Sequence, residues 1–213
     1  MDNKLQKLRS KIESIYQENK GILLFHGWHH IFFVSKKAVE FAKHIQADAN
    51  LVESAALTHD LNYIIKPNSE PEVAKDYRQQ ILSDAGFNQE EIERIEKIVM
   101  ESHMRTRNEN ISNEGKALSD ADALFKSLPT TPILFASKYI TQNKVDIKKL
   151  AQKVTSEQNP LMEKDIYFYT EAAKEKYIKW AKSNLQMWNY VQEALNDPDV
   201  TEMLKIAEKN GVL

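Results

Sequence analysis

The chain has 213 residues, enough for one substantial core but not for two domains of average size. Only 5 Gly and 6 Pro stand against plentiful Lys, Glu, Ala, Leu, Gln and Ile, a composition that suits helices and starves the tight turns of an all-β fold. A net charge of −2, with both signs interspersed, excludes the basic field that attracts nucleic acid, and the absence of cysteine excludes disulfides and thiolate metal ligands.

In chain order, Leu5, Leu8, Ile12, Ile15 and Tyr16 recur at helical spacing and predict an amphipathic first helix ending near Gly21. After Gly27, the stripe Ile31, Val34, Ala38, Phe41 and Ile45 predicts a second helix, to about Asp48. Asn50, with Glu53 three residues on, reads as the N-cap of a short helix through Val52, Ala55, Ala56 and His59. The stretch 66–71, with two prolines, is the clearest loop. Helices are predicted at about 71–85 and from an Asn88 cap through Ile92, Ile95, Ile98 and Val99 toward His103, followed by a polar loop over 105–115. The remainder reads as helices at about 116–128, 130–143 and 146–158, the last stopped by Pro160, then one or two long helices over 163–193 and a short one after the turn at 196–199. The aromatic stripe Tyr167, Tyr177, Trp180 and Trp188 reads as interhelical packing.

Several of these helices carry a conflict. His59 continues the apolar stripe of the short helix and Asp60 lies beside it, so both are expected to face the interior. A buried, unpaired carboxylate costs on the order of several kcal/mol, so Asp60 requires a cation or dense hydrogen bonding. His30, four residues before Val34, and Asp122, four after Leu118, repeat the conflict elsewhere; His29 and Asp120 compete with them in register. Two imidazoles and two carboxylates form a nitrogen and oxygen set that suits Mn, Fe, Co, Ni or Zn, with Mg also admissible. His103 ends an apolar stripe and is a candidate to hold a phosphate oxygen or protonate a leaving group. Lys126, four residues past Asp122, is a candidate point charge for phosphate. His26 and His44 read as surface residues.

Trp28-His29-His30 leading a helix, Thr58-His59-Asp60-Leu61, and Ser119-Asp120-Ala121-Asp122-Ala123-Leu124, in this order, resemble the motif series of the HD-domain metal-dependent phosphohydrolase superfamily. The resemblance covers about residues 25–140. It implies an all-α HD-domain bundle with a core at about 20–145, and says little of the rest; length and helical pattern make 1–213 a single helical domain, with additional C-terminal helices at about 146–213. It also implies one divalent metal ion on His30, His59, Asp60 and Asp122, Asp60 or a nearby carboxylate as proton acceptor, and hydrolysis of a phosphate ester or anhydride. Within the family pattern Asp122 is preferred to Asp120, which becomes an outer carboxylate.

Two departures stand out: many relatives carry an arginine where this chain has Phe33, and a basic residue where it has Ala123. Phosphate contacts then fall to Lys36, Lys37, Lys126, Arg105 or Arg107, the nearest by sequence. The substrate implied is a nucleotide or other small phosphorylated metabolite. The alternatives are a non-catalytic metal-binding sensor or interaction module, and a dinuclear HD-type oxygenase in which His103 joins the ligands. No nucleic-acid or membrane partner is expected, an oligomer is compatible, and the lack of a signal-like or 18-residue apolar run predicts a cytoplasmic protein.

Overall fold

Among the residues described by the computed structural model, 3–103, 107 and 110–212, every regular element is a helix. In chain order they are α1 Asn3–Glu18, α2 Trp28–His44, α3 Ala49–Thr58, α4 Asn62–Ile65, a 3-10 turn Pro71–Ala74, α5 Lys75–Ala85, α6 Gln89–Glu101, α7 Asn113–Ser127, α8 Thr130–Asn143, α9 Ile147–Glu163, α10 Glu171–Ala194 and α11 Pro198–Lys209. The all-α expectation therefore holds, with several boundaries moved. Asp48, not Asn50, caps α3, its carboxylate accepting the N–H groups of Asn50 and Leu51. α7 starts three residues earlier than read, because the Ser112 hydroxyl accepts the N–H of Gly115 at 3.0 Å. Pro160 does not stop α9; the helix runs past it to Glu163, forgoing the one N–H bond that proline cannot make, and the Pro160 carbonyl accepts from Lys164. The expected long C-terminal helix begins only at Glu171, because 164–170 turns inward to bury Tyr167 and Phe168 before Thr170 caps α10.

α2 is central. Its stripe of Ile31, Val34, Ala38 and Phe41 is buried and packs on α3 and α7, while α6 closes the far side of that pair. Gly27 starts α2 where a Cβ would come within 2.6 Å of the Leu23 carbonyl, so only glycine fits this entry. α1 and α5 flank the core. On the opposite side α10 packs on α7 and α9, and Leu161, Tyr167, Phe168, Ala173 and Tyr177 join the main apolar cluster. A smaller cluster of Leu150, Ala151 and Trp188 lies between α8, α9 and α10.

Asp120 is the polar staple between the two sides. Fully buried on α7, it accepts from Arg107 at 3.0 Å and from the N–H groups of Tyr169 and Thr170 at 2.8 and 2.7 Å. It is thus committed to structure and is not the outer carboxylate expected of it. Removing it leaves a buried guanidinium and two N–H groups without their acceptor. Asp120→Ala is therefore expected to lose about 3–5 kcal/mol of unfolding free energy, measured by urea denaturation; an unchanged midpoint would show that the staple carries no load.

Candidate metal centre

His30 lies in the first turn of α2 on the face that continues into Val34, and is fully buried. Its neighbour His29 is carried to the exposed side and stacks on Phe135, with ring centroids 4.7 Å apart. His59 and Asp60 lie just beyond α3 rather than within it. The Thr58 hydroxyl bonds back to the carbonyls of Ser54 and Ala55, and the His59 ring takes that of Ala56. These side chains occupy the carbonyls of the last turn, and the chain tightens into i to i+3 bonds from Leu61 to Thr58 and Tyr63 to Asp60. Both residues nonetheless point inward, at 6% and 9% exposure.

The three segments converge. His30, His59 and Asp122 each place one possible ligand atom within 4.8 Å of the others. The two Nε2 atoms are 3.3 Å apart, and Asp60 Oδ2 lies 3.0 Å from His30 Nε2 and 3.3 Å from His59 Nε2. His30 Nε2 is 3.6 Å from Asp122 Oδ1. His103 stands outside this group. The donor set fits a divalent cation on three counts. His59 Nδ1 is 2.8 Å from the Ala56 carbonyl, so its proton sits there and Nε2 presents a lone pair. Asp60 Oδ2 is buried without a well-aligned hydrogen-bond donor. Two carboxylates and two imidazoles crowd a space that solvent barely reaches.

Electrostatics follow the same geometry. Burial pushes the Asp60 carboxyl up, but the surrounding His59, His30 and His26 outweigh it and hold the group well below the ordinary carboxylate range. For Asp122 burial is likewise overcome, chiefly by Lys126, whose Nζ is 2.6 Å from Oδ2. The lysine in turn stays protonated well above its usual range despite burial.

Lys126 also borders a cavity of about 280 Å³ that opens beside the cluster. His26, Tyr63 and His103 line it near the cluster; Trp188, Leu150 and Val154 line it from the smaller apolar core. His103 Nε2 lies 3.4 Å from Glu70 Oε2, on a loop fixed by hydrogen bonds between Asn62 and Ser69. The other phosphate candidates are spent elsewhere. Lys37 donates to Glu40 and Tyr177, Lys36 lies over the Phe32 ring, and Arg107 binds Asp120; Arg105 lies outside the described residues.

His26 corrects the surface reading made of it. It is 4% exposed, stacks on Tyr63 at 3.7 Å between ring centroids, and meets Gln142 through Nδ1 at 2.7 Å. No local pattern announces it, because its cover comes from α4 and α8. Gln142 and Tyr63 were missed for the same reason.

With the site in place, residues 27–126 match the family model of the HD domain. That match spans just under half of the chain and contains all four converging residues. The uncharacterized protein YpgQ of Bacillus subtilis (strain 168) is 33% identical over 125 residues, 56% of this chain and 58% of that protein. The matched stretch is thus less than two thirds of the relative. The crystal structure of Bacillus subtilis YpgQ in complex with ADP superposes with a TM-score of 0.62 at 22% identity, covering 93% of this chain and 99% of that one. Those of SeMet-YpgQ and YpgQ give 0.62 and 0.61 at 21% identity, a likeness that shows the fold. No helix among the described residues is long and apolar enough to cross a membrane.

Burial lowers the His26 imidazole from 6.5 to about 3, with His30 and Lys126 adding to the fall and Asp60 and Asp122 opposing it. The unfolded chain therefore binds a proton between these values that the folded chain refuses. Stability from this group is complete above about pH 6.5 and falls as pH drops toward 3, by up to about 1.4 kcal/mol per pH unit. Denaturation in chelator between pH 7 and 4.5 should show a shallower acid loss for His26→Gln than for the unaltered protein. Equal slopes would mean that the folded protein takes up the proton.

Proposed function

We propose that the chain is a metal-dependent phosphohydrolase acting on a nucleotide or other small phosphorylated compound, with the ion held by His30, His59, Asp60 and Asp122. The observation that carries this reading is the convergence of those four side chains, with Lys126 both paired to Asp122 and lining the neighbouring cavity. When bound, a divalent ion supplies Lewis acidity, which brings the pKa of water toward neutrality and offsets charge on phosphoryl oxygens. The chain's own residues do the rest. His59 is locked in its ligating tautomer by the Ala56 carbonyl, and Asp60, ionised at neutral pH, offers an anionic oxygen to the ion. Lys126, held by Asp122, adds a fixed positive charge where a phosphate would enter. His103, half-buried on the cavity wall, is a second donor in reach of that volume.

The nucleotide preference draws on both walls. A cationic end and an apolar end bearing the Trp188 indole suit a phosphate joined to a flat, weakly polar group. The relative YpgQ, crystallised with ADP, supports the same class.

Protein stripped with chelator and reloaded with Mn, Co or Mg should release phosphate or pyrophosphate from at least one nucleotide. Asp60→Asn and Asp122→Asn should each lower both metal affinity and turnover by more than about 100-fold, read by metal analysis and by a phosphate-release assay. Turnover that survives stripping, or no release from any nucleotide or sugar phosphate, overturns the assignment.

A further inference from the structure

Two buried histidines, His59 and His26, have their protons fixed by different partners. For His59 a carbonyl faces Nδ1, which must carry the proton. For His26 the partner is Gln142 on α8, and its orientation is determined by the backbone. The Gln142 Oε1 accepts the N–H groups of Phe25 at 2.7 Å and His26 at 3.2 Å, so this end of the amide is the oxygen. The other end, Nε2, then lies 2.7 Å from His26 Nδ1. An amide nitrogen donates and cannot accept, so Nδ1 offers its lone pair and the proton of the neutral ring sits on Nε2.

The ring has little freedom to do otherwise. Tyr63 stacks on one face with an interplanar angle of 10°, and Phe25 and His30 abut it edge-on at 4.9 and 5.8 Å between centroids. The residue is 4% exposed, and what it exposes is cavity wall shared with Lys126. No described residue accepts from Nε2.

We propose that His26 is a substrate-binding residue: a neutral imidazole, clamped by Gln142 and Tyr63, whose Nε2–H donates to a phosphoryl oxygen of the compound in the cavity. That the ligand carries a phosphoryl group rests on the phosphohydrolase reading; the tautomer does not. A neutral donor serves here because it adds a directed hydrogen bond to an anion without burying a second cation beside Lys126. Held in place before the ligand arrives, it also costs no side-chain ordering on binding.

Long-range proton–nitrogen spectra of histidine-labelled protein read the tautomer directly, with diamagnetic Mg as the added ion. At neutral pH the expected pattern for His26 is a protonated Nε2 and a bare Nδ1, and added ADP or inorganic phosphate should move the Nε2–H proton signal downfield. Gln142→Glu, which replaces the donor by an acceptor, should bring a proton onto Nδ1. His26→Phe keeps the stacking and loses the donor, and should weaken ADP binding about tenfold or more; His26→Gln should recover part of that loss. A bare Nε2 in the unaltered protein overturns the proposal, as does undiminished ADP affinity in a folded His26→Phe variant. Protein that binds ADP with the expected shift but hydrolyses nothing loses the hydrolase reading and keeps this one. Active protein whose Nε2–H signal ignores both ligands loses this one alone.

Discussion

Asp60 and Asp122 bring two carboxylates against two imidazoles in a space that excludes most water, and the surrounding structure is arranged to make that tolerable. Burial of even one such carboxylate without compensation costs several kcal/mol, so the groups that neutralise them are also those that are most firmly placed. Lys126 stands one helical turn from Asp122. His30 is fixed, fully buried, in the first turn of the central helix α2. His59 is set by carbonyls that its own helix end gives up. A cation completes this arrangement better than protons would, since a proton shared among these groups satisfies only one of them at a time.

The same economy explains the helix end before Asp60. Thr58 and His59 turn back onto the carbonyls of the last turn of α3, and beyond that turn the His59 and Asp60 side chains meet at His30.

Where periodicity governs, the sequence is legible. The stripes of α1, α2 and α6 locate those helices, and the continuity of His30 with Val34 distinguishes it from His29. The capping of α3 was misread because Asp48 and Asn50 are both good caps two residues apart, and only the observed bonds to Asn50 and Leu51 choose between them. Asp120 and Asp122 lie on different faces of α7, yet nothing within the helix says which face meets the imidazoles; Arg107 and the 169–170 backbone claim Asp120. His26 was illegible for a stronger reason. It lies in an irregular turn, and its burial and tautomer come from a glutamine 116 residues away.

Asp120 and Asp122 sit two residues apart on one rigid helix, one gripping the segment that leads into α10, the other facing the imidazole cluster. A shared reference is the consequence. The segment that leads into α10 is tied through Asp120 to the same helix that carries Asp122, so the separation between the Trp188 wall of the cavity and the imidazole cluster is set by α7.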